Sequence, residues 1–263
     1  MSATNFPIGV FDSGIGGTSI WKEITSLLPF ENTLYLSDSK NAPYGDKPAD
    51  EIRALAVKNT EFLLKQNCKL IVVACNTATT NAIDYLRANY SLPFIGIEPA
   101  IKPAALKTKT NKIGILATKG TLNSSLFEKT SRKIDQNIIV KETIGTGLVE
   151  LIEAGKIDSA EMHALLYSYI TPLLEEQIDC LVLGCTHYPY LIPKIREIAG
   201  NTLQIIDSGQ AVAKQTKAIL KKFSLANSNF EEGKHQFYIN KNKKVLTKIL
   251  GDNPNILVDE KIF

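Results

Sequence analysis

Short apolar runs alternating with amphipathic helical stretches constrain this chain more than any other feature. The runs are Ile8–Phe11, Thr33–Leu36, Leu70–Cys75, Phe94–Ile97, Ile113–Ala117, Ile138–Val140, Cys180–Gly184 and Gln204–Asp207. Continuously apolar strands are buried on both faces, and helices between them supply the cover. One such stretch carries Ile52, Leu55, Ala56, Asn59, Phe62 and Leu63 at i, i+3, i+4 spacing, with Asn59 its single polar member. Pro48, Asp50 and Glu51 suit its first turn. Leu165, Leu166, Tyr169, Ile170, Leu173 and Leu174 repeat the pattern later. The reading is an α/β fold with a mostly parallel sheet flanked by helices.

The runs also resemble one another in pairs. Leu70-Ile-Val-Val-Ala-Cys75 matches Cys180-Leu-Val-Leu-Gly-Cys185, and Ile8-Gly-Val-Phe matches Ile113-Gly-Ile-Leu. Each cysteine is followed, after 23 and 22 residues, by an acid closing an apolar strand: Glu98 and Asp207. Three landmarks in one order predict two related α/β halves, against chance similarity among apolar strands. The chain after Asp207 is left over and is expected to pack back onto the first half. Within it Ser224–Gly233 reads as a polar loop and Lys241–Lys244 as a solvated charged turn.

Composition removes several classes. Thirty basic against 27 acidic residues create no need for a nucleic-acid partner. Four cysteines among 263 residues are no disulfide scaffold. No run approaches the ~20 apolar residues of a membrane span, so no membrane partner is expected. The N-terminus lacks the basic and apolar regions of a signal peptide, so a cytoplasmic location is expected.

Chemistry concentrates at strand ends. Cys75-Asn76-Thr77 and Cys185-Thr186-His187 each follow a buried strand, the first leading into a helix over Ala78–Asn89. A thiol at such a turn meets backbone N–H groups and a helix dipole, which favour thiolate. A lone apolar-flanked cysteine would be a packing residue. Two at equivalent points of a repeat point to chemistry, whereas Cys68 and Cys180 lack that context. Asp12-Ser13-Gly14-Ile15-Gly16-Gly17 follows the first strand, fits neither standard nucleotide pattern, and is either a tight turn or an anion or amino-acid site. Pro43-Tyr44-Gly45-Asp46 is a turn whose tyrosine could cap a site. A zinc site from Cys75, Cys185 and His187 is a further reading, although the spacing matches no compact finger.

Phe11-Asp-Ser-Gly-Ile-Gly-Gly17, Asn41-Ala-Pro-Tyr-Gly45, Ala74-Cys-Asn-Thr-Ala78 and Leu183-Gly-Cys-Thr-His-Tyr-Pro189 together resemble the glutamate racemase family over nearly the whole chain. The resemblance implies two pseudo-symmetric α/β domains with the active site between them: 1–97 plus 208–263, and 98–207. It implies cofactor-independent interconversion of L- and D-glutamate for peptidoglycan, no metal, and a homodimer. Cys75 and Cys185 would exchange protons at Cα, assisted by Asp12 and by His187 with Glu153. Asp12, Ser13, Tyr44, Gly45, Asn76, Thr77, Thr121, Thr186 and His187 would hold substrate, with Thr118 beside Thr121. Some members carry Cys-Pro where this chain has Ile144-Gly145-Thr146-Gly147, which loosens the local match near Glu153. Members activated by a cell-wall precursor carry an N-terminal extension, so no such activation is expected here. A superfamily racemase of aspartate or hydantoins, and a two-lobed amino-acid binding protein without catalysis, are the alternatives.

Overall fold

The computed structural model describes residues 3–229 and 231–263. Met1, Ser2 and Phe230 lie outside it, the last within the loop expected over Ser224–Gly233. The strands are β1 (Ile8–Asp12), β2 (Thr33–Ser37), β3 (Leu70–Val73), β4 (Phe94–Gly96), β5 (Lys112–Ala117), β6 (Ile139–Ile144), β7 (Cys180–Gly184), β8 (Gln204–Ile206), β9 (His235–Ile239) and β10 (Ile256–Glu260). They form two parallel sheets, β10-β9-β2-β1-β3-β4 and β6-β5-β7-β8. Without β9 and β10 the two orders coincide, with β1, β2, β3 and β4 equivalent to β5, β6, β7 and β8. The sequence repeat is therefore a repeat of topology.

That order locates the site. The chain leaves β1 on one side to form β2 and takes the other side of β1 for β3. Diverging connections leave a crevice at the carboxyl ends of the strands where the order switches. Asp12 closes β1 and Cys75 follows β3, so both border the first crevice. Ala117 closes β5 and Cys185 follows β7, bordering the second.

Burial explains the apolar runs: β1, β2, β3 and β7 are buried at every residue. The helix Ala49–Lys65 turns Ile52, Ala56, Asn59, Thr60 and Leu63 inward, so its polar Asn59 is a core residue. Cys68 and Cys180 are buried, where burial pushes their thiols up to about 12 and about 11.

After Asp207 the chain lies against the first sheet. The helix Gly209–Lys222 packs on the helix Thr18–Leu27, and β9 pairs with β2 from Thr33↔His235 to Ser37↔Ile239. Trp21 meets Phe237 edge-on at 4.9 Å, and Tyr35 stacks on Phe237 at 5.1 Å. Neither β9 nor β10 is among the sequence-predicted strands. The first alternates half-buried Gln236 and Tyr238 with core residues, and the second is a solvated edge ending in Asp259 and Glu260. The turn expected at Lys241–Lys244 is also corrected. Lys243 and Lys244 begin the helix Lys243–Leu250, which Leu246 anchors in the core with Val245, Ile249 and Leu250 beside it.

Candidate active site

The first crevice is bordered by the turns after β1 and β3. Cys75 is the N-cap of the helix Asn76–Asn89, with its Sγ accepting the Ala78 N–H at 3.4 Å. The strand expected over Leu70–Cys75 ends at Val73 because Cys75 has turned out to cap that helix. Its thiol lies 3.6 Å from Ser13 Oγ. Burial pushes the Cys75 thiol well up, and the charge of Asp12 adds to this. The Ala78 N–H and Ser13 pull the other way and lose. The expectation that a helix terminus favours thiolate is therefore corrected at Cys75, where desolvation decides. Asp12 is fully buried, and its Oδ2 accepts the N–H groups of Gly17 at 2.8 Å and Gly14 at 3.2 Å. Burial pushes its carboxyl up to about 6, against the opposing pull of His187 and those N–H bonds.

The Gly-rich turn proves to be a receptor for side chains of the other half. A Cβ on Gly14 would lie 1.9 Å from Glu153 Oε1, and one on Gly16 would lie 2.2 Å from His187 Nδ1. Bare backbone lets both side chains in. Glu153 Oε1 accepts the Ile15 N–H at 2.6 Å, and Oε2 accepts the Ser39 hydroxyl at 2.7 Å. The hydroxyl of Thr186 reaches Asp12 Oδ1 at 3.4 Å, and Ser19 Oγ donates to the Thr186 carbonyl at 2.8 Å. Tyr190 OH lies 2.5 Å from Thr18 Oγ1. The turns after β1 and β7 are thus bonded directly to each other.

On the second side, His187 bridges Cys185 and Glu153. Its Nδ1 lies 3.7 Å from Cys185 Sγ and its Nε2 lies 2.6 Å from Glu153 Oε1. Burial alone would lower the imidazole, but the bonds to Cys185 and Glu153 overturn that and raise it well above the usual histidine range. With Nε2–H donating to the Glu153 carboxylate, the Gly16 N–H, 3.2 Å from the same nitrogen, is a close contact only. At 3.7 Å the imidazolium can give a proton to Cys185 or hold its thiolate.

Further polar groups gather after Cys75. Asn76 is 3% exposed, and both its Oδ1 and Nδ2 lack a partner within the protein. Buried amides are normally paired, so this one is poised for a ligand. The hydroxyls of Thr77, Thr118 and Thr121 form a triangle with sides of 2.8, 3.3 and 3.0 Å that joins the two halves. Tyr44 is buried in the same apolar cluster as Cys75, and the turn Tyr44–Asp46 touches the helix Lys119–Leu122. These contacts bring Asp12, Glu153, Thr186 and His187 together at one end and Tyr44, Thr77, Thr118 and Thr121 at the other.

Three contributors are absent from the sequence-predicted site residues. Tyr35 OH donates to the Gly14 carbonyl at 2.9 Å and fixes the Gly-rich turn. Ser39 holds Glu153, and Asp38 accepts the Tyr44 hydroxyl at 2.6 Å. The Tyr35-Leu-Ser-Asp38 run before the Pro-Tyr-Gly turn could have flagged Asp38, an acid directly after an apolar strand. Among the described residues, no group of three or more His, Cys, Asp and Glu side chains is arranged to hold a metal ion, which leaves the zinc reading without a ligand set.

Two matching parallel sheets, each with a cysteine at its switch point, define an α/β protein of two related parts. The Asp/Glu/Hydantoin racemase family matches residues 14–216. The glutamate racemase of Cupriavidus pinatubonensis is 47% identical over 220 residues, covering 84% of this chain and 81% of that one. The crystal structure of a Bacillus anthracis glutamate racemase superposes with a TM-score of 0.88 at 32% identity, covering 98% of each chain. That of Francisella tularensis in complex with D-glutamate gives 0.84 at 29% identity, again covering 98% of each. The chain belongs to the Asp/Glu/Hydantoin racemase family and, within it, to the glutamate racemases, which are isomerases.

Proposed function

We propose that the chain interconverts L- and D-glutamate by proton transfer between Cys75, the substrate Cα and Cys185. One thiolate takes the Cα proton and becomes a thiol. The opposite thiol gives its proton to the other face of Cα and becomes the thiolate. The two sulfurs have exchanged roles, and the configuration has inverted. A single base would tend to return the proton to the face it came from. The observation that carries the reading is the pair of thiols at equivalent strand ends of two matching sheets, each with its own polar assistant. Asp12 serves the Cys75 side. His187, held by Glu153, serves the Cys185 side.

The Cα proton is very weakly acidic, so the carbanion-like transition state needs fixed donors in a dry site. The unpartnered amide of Asn76, with Ser13, Thr77 and Thr186 around it, suits the α-amino and α-carboxylate groups. The Thr77–Thr118–Thr121 triangle, beside Tyr44 and Gly45, suits the remaining carboxylate. No step needs a cofactor. The D-glutamate would serve peptidoglycan synthesis in the cytoplasm, where the four free thiols stay reduced, and the working form would be a homodimer.

Cys75→Ala and Cys185→Ala, each assayed in D₂O, test the reading. Each should abolish racemisation. Wild-type racemisation by either variant refutes the two-thiol mechanism.

A further inference from the structure

We propose that Asn240 is a positioning residue for the substrate site, acting through Asp38 on the turn Tyr44–Asp46. The proposal rests on reading that turn as part of the substrate site. Asn240 lies outside residues 14–216, on the returning chain directly after β9. Its backbone N–H donates to the Ser37 carbonyl at 3.3 Å, which holds it against the end of β2. Its side chain then makes two bonds in opposite directions. Oδ1 accepts the Lys40 N–H at 2.7 Å, and Nδ2 donates to Asp38 Oδ1 at 2.5 Å.

Asp38 is the hub. It is fully buried, and its N–H donates to the Asp12 carbonyl at 3.1 Å, one peptide away from the Gly-rich turn. Its carboxylate also accepts Asn41 Nδ2 at 2.8 Å on Oδ1 and the Tyr44 hydroxyl at 2.6 Å on Oδ2, with Lys58 Nζ 3.4 Å away. The Tyr44 hydroxyl donates to Asp38 and accepts from Asn59 Nδ2 at 3.2 Å, so its one proton is committed away from the cleft. Burial, then Asp38, hold that phenol well above its ordinary range, so it stays a donor. Tyr44 therefore acts as a strut. Its ring stands in the Cys75 cluster while its hydroxyl is tied to Asp38.

A buried carboxylate keeps its direction only while its donors hold it. Tyr44, Asn41 and Lys58 belong to the loop and helix that Asp38 must position. Asn240 is the donor anchored elsewhere, directly after β9. Without it, Asp38 is free to swing with the turn it should fix. The effect belongs to substrate binding, because the turn Tyr44–Asp46 carries neither proton-exchanging sulfur.

The test uses Asn240→Ala, which removes both bonds, and Asn240→Asp, which keeps the shape and the acceptor for Lys40 but sets a second carboxylate against Asp38. Both should raise KM for glutamate, on the order of tenfold, with kcat within about threefold of wild type. In a Tyr44→Phe background, Asn240→Ala should change KM less than about twofold, because the strut has already lost its tie. Unchanged KM in both Asn240 variants, with KM raised by Tyr44→Phe, overturns the proposal and leaves the site reading standing. An equal KM rise with and without the Tyr44 hydroxyl also overturns it, since the effect would then bypass Asp38. A lowered thermal midpoint with unchanged KM assigns Asn240 a purely structural role and overturns it too. If Tyr44→Phe alone leaves KM unchanged, the reading of the turn as substrate site fails first.

Discussion

Gly16→Ala should cripple racemisation while leaving the protein folded. The new Cβ would lie 2.2 Å from His187 Nδ1, 2.4 Å from Cγ and 2.6 Å from Cε1, against an ordinary contact of at least 3.4 Å. The ring must therefore retreat by about 1.2 Å, or the Gly-rich turn must withdraw and open the cleft. His187 cannot retreat freely, because its Nε2 bond to Glu153 is 2.6 Å long and an added ångström breaks it. A charged hydrogen bond of this kind is worth about 1.5–3 kcal/mol, and a misplacement near 1 Å costs roughly 100-fold in rate. The expected loss is thus about 100-fold in kcat/KM. L- and D-glutamate are enantiomers of equal free energy, so kcat/KM must fall equally in both directions. Only its division between kcat and KM can differ. Circular dichroism of each enantiomer's decay measures both, and a thermal melt checks the fold. Activity within threefold of wild type would refute the argument. A rise in KM alone would favour the other reading of these glycines, in which they admit ligand to the backbone.

Other outcomes follow from the same contacts. Asp12 is carried to about 6, so kcat/KM should fall as pH drops below 6 and the carboxylate is neutralised, and Asp12→Asn should remove that limb. The sign for stability is the reverse. A raised carboxyl favours the fold below its unfolded value and loses that contribution as pH rises through 6, by about 3 kcal/mol. Asp12→Asn should therefore stabilise the protein more at pH 8 than at pH 5 in urea titrations. Asn76→Ala should keep or raise the thermal midpoint of ligand-free protein, since it removes two buried unpartnered atoms, and should raise KM about tenfold or more. A lower midpoint with normal KM contradicts that. Lys69 Nζ and Glu31 Oε2 form a buried pair at 2.5 Å, at the amino ends of β3 and β2. Lys69→Met should cost about 3–5 kcal/mol in chemical denaturation, with kcat of the folded fraction unchanged.

What could be read from the chain follows from which properties are local. Cys75 and Cys185 stood out because a thiol, a polar neighbour and a preceding apolar run are all written within seven residues, and the repeat supplied the pairing. Glu153 came only through resemblance. Nothing around it announces that its partners are Ile15 and Ser39, more than a hundred residues away. The glycines of the first turn, read as a tight turn or an anion or amino-acid site, leave room for Glu153 and His187. Their purpose depends on the opposite half. β9 and β10 escaped because half-buried strands at this end of the sheet, β10 its edge, tolerate Gln236, Asp259 and Glu260, which blur the apolar pattern. The Cys75 thiol was misjudged for a similar reason. The helix terminus that lowers it is local and visible, but the burial that outweighs it comes from packing.

The most direct test is a crystal structure with D-glutamate bound. One sulfur should lie on each side of Cα, Cys75 on one face and Cys185 on the other, each within roughly 3–4 Å. Both sulfurs on one face of Cα, or either one held out of reach by an intervening side chain, would contradict the two-thiol account.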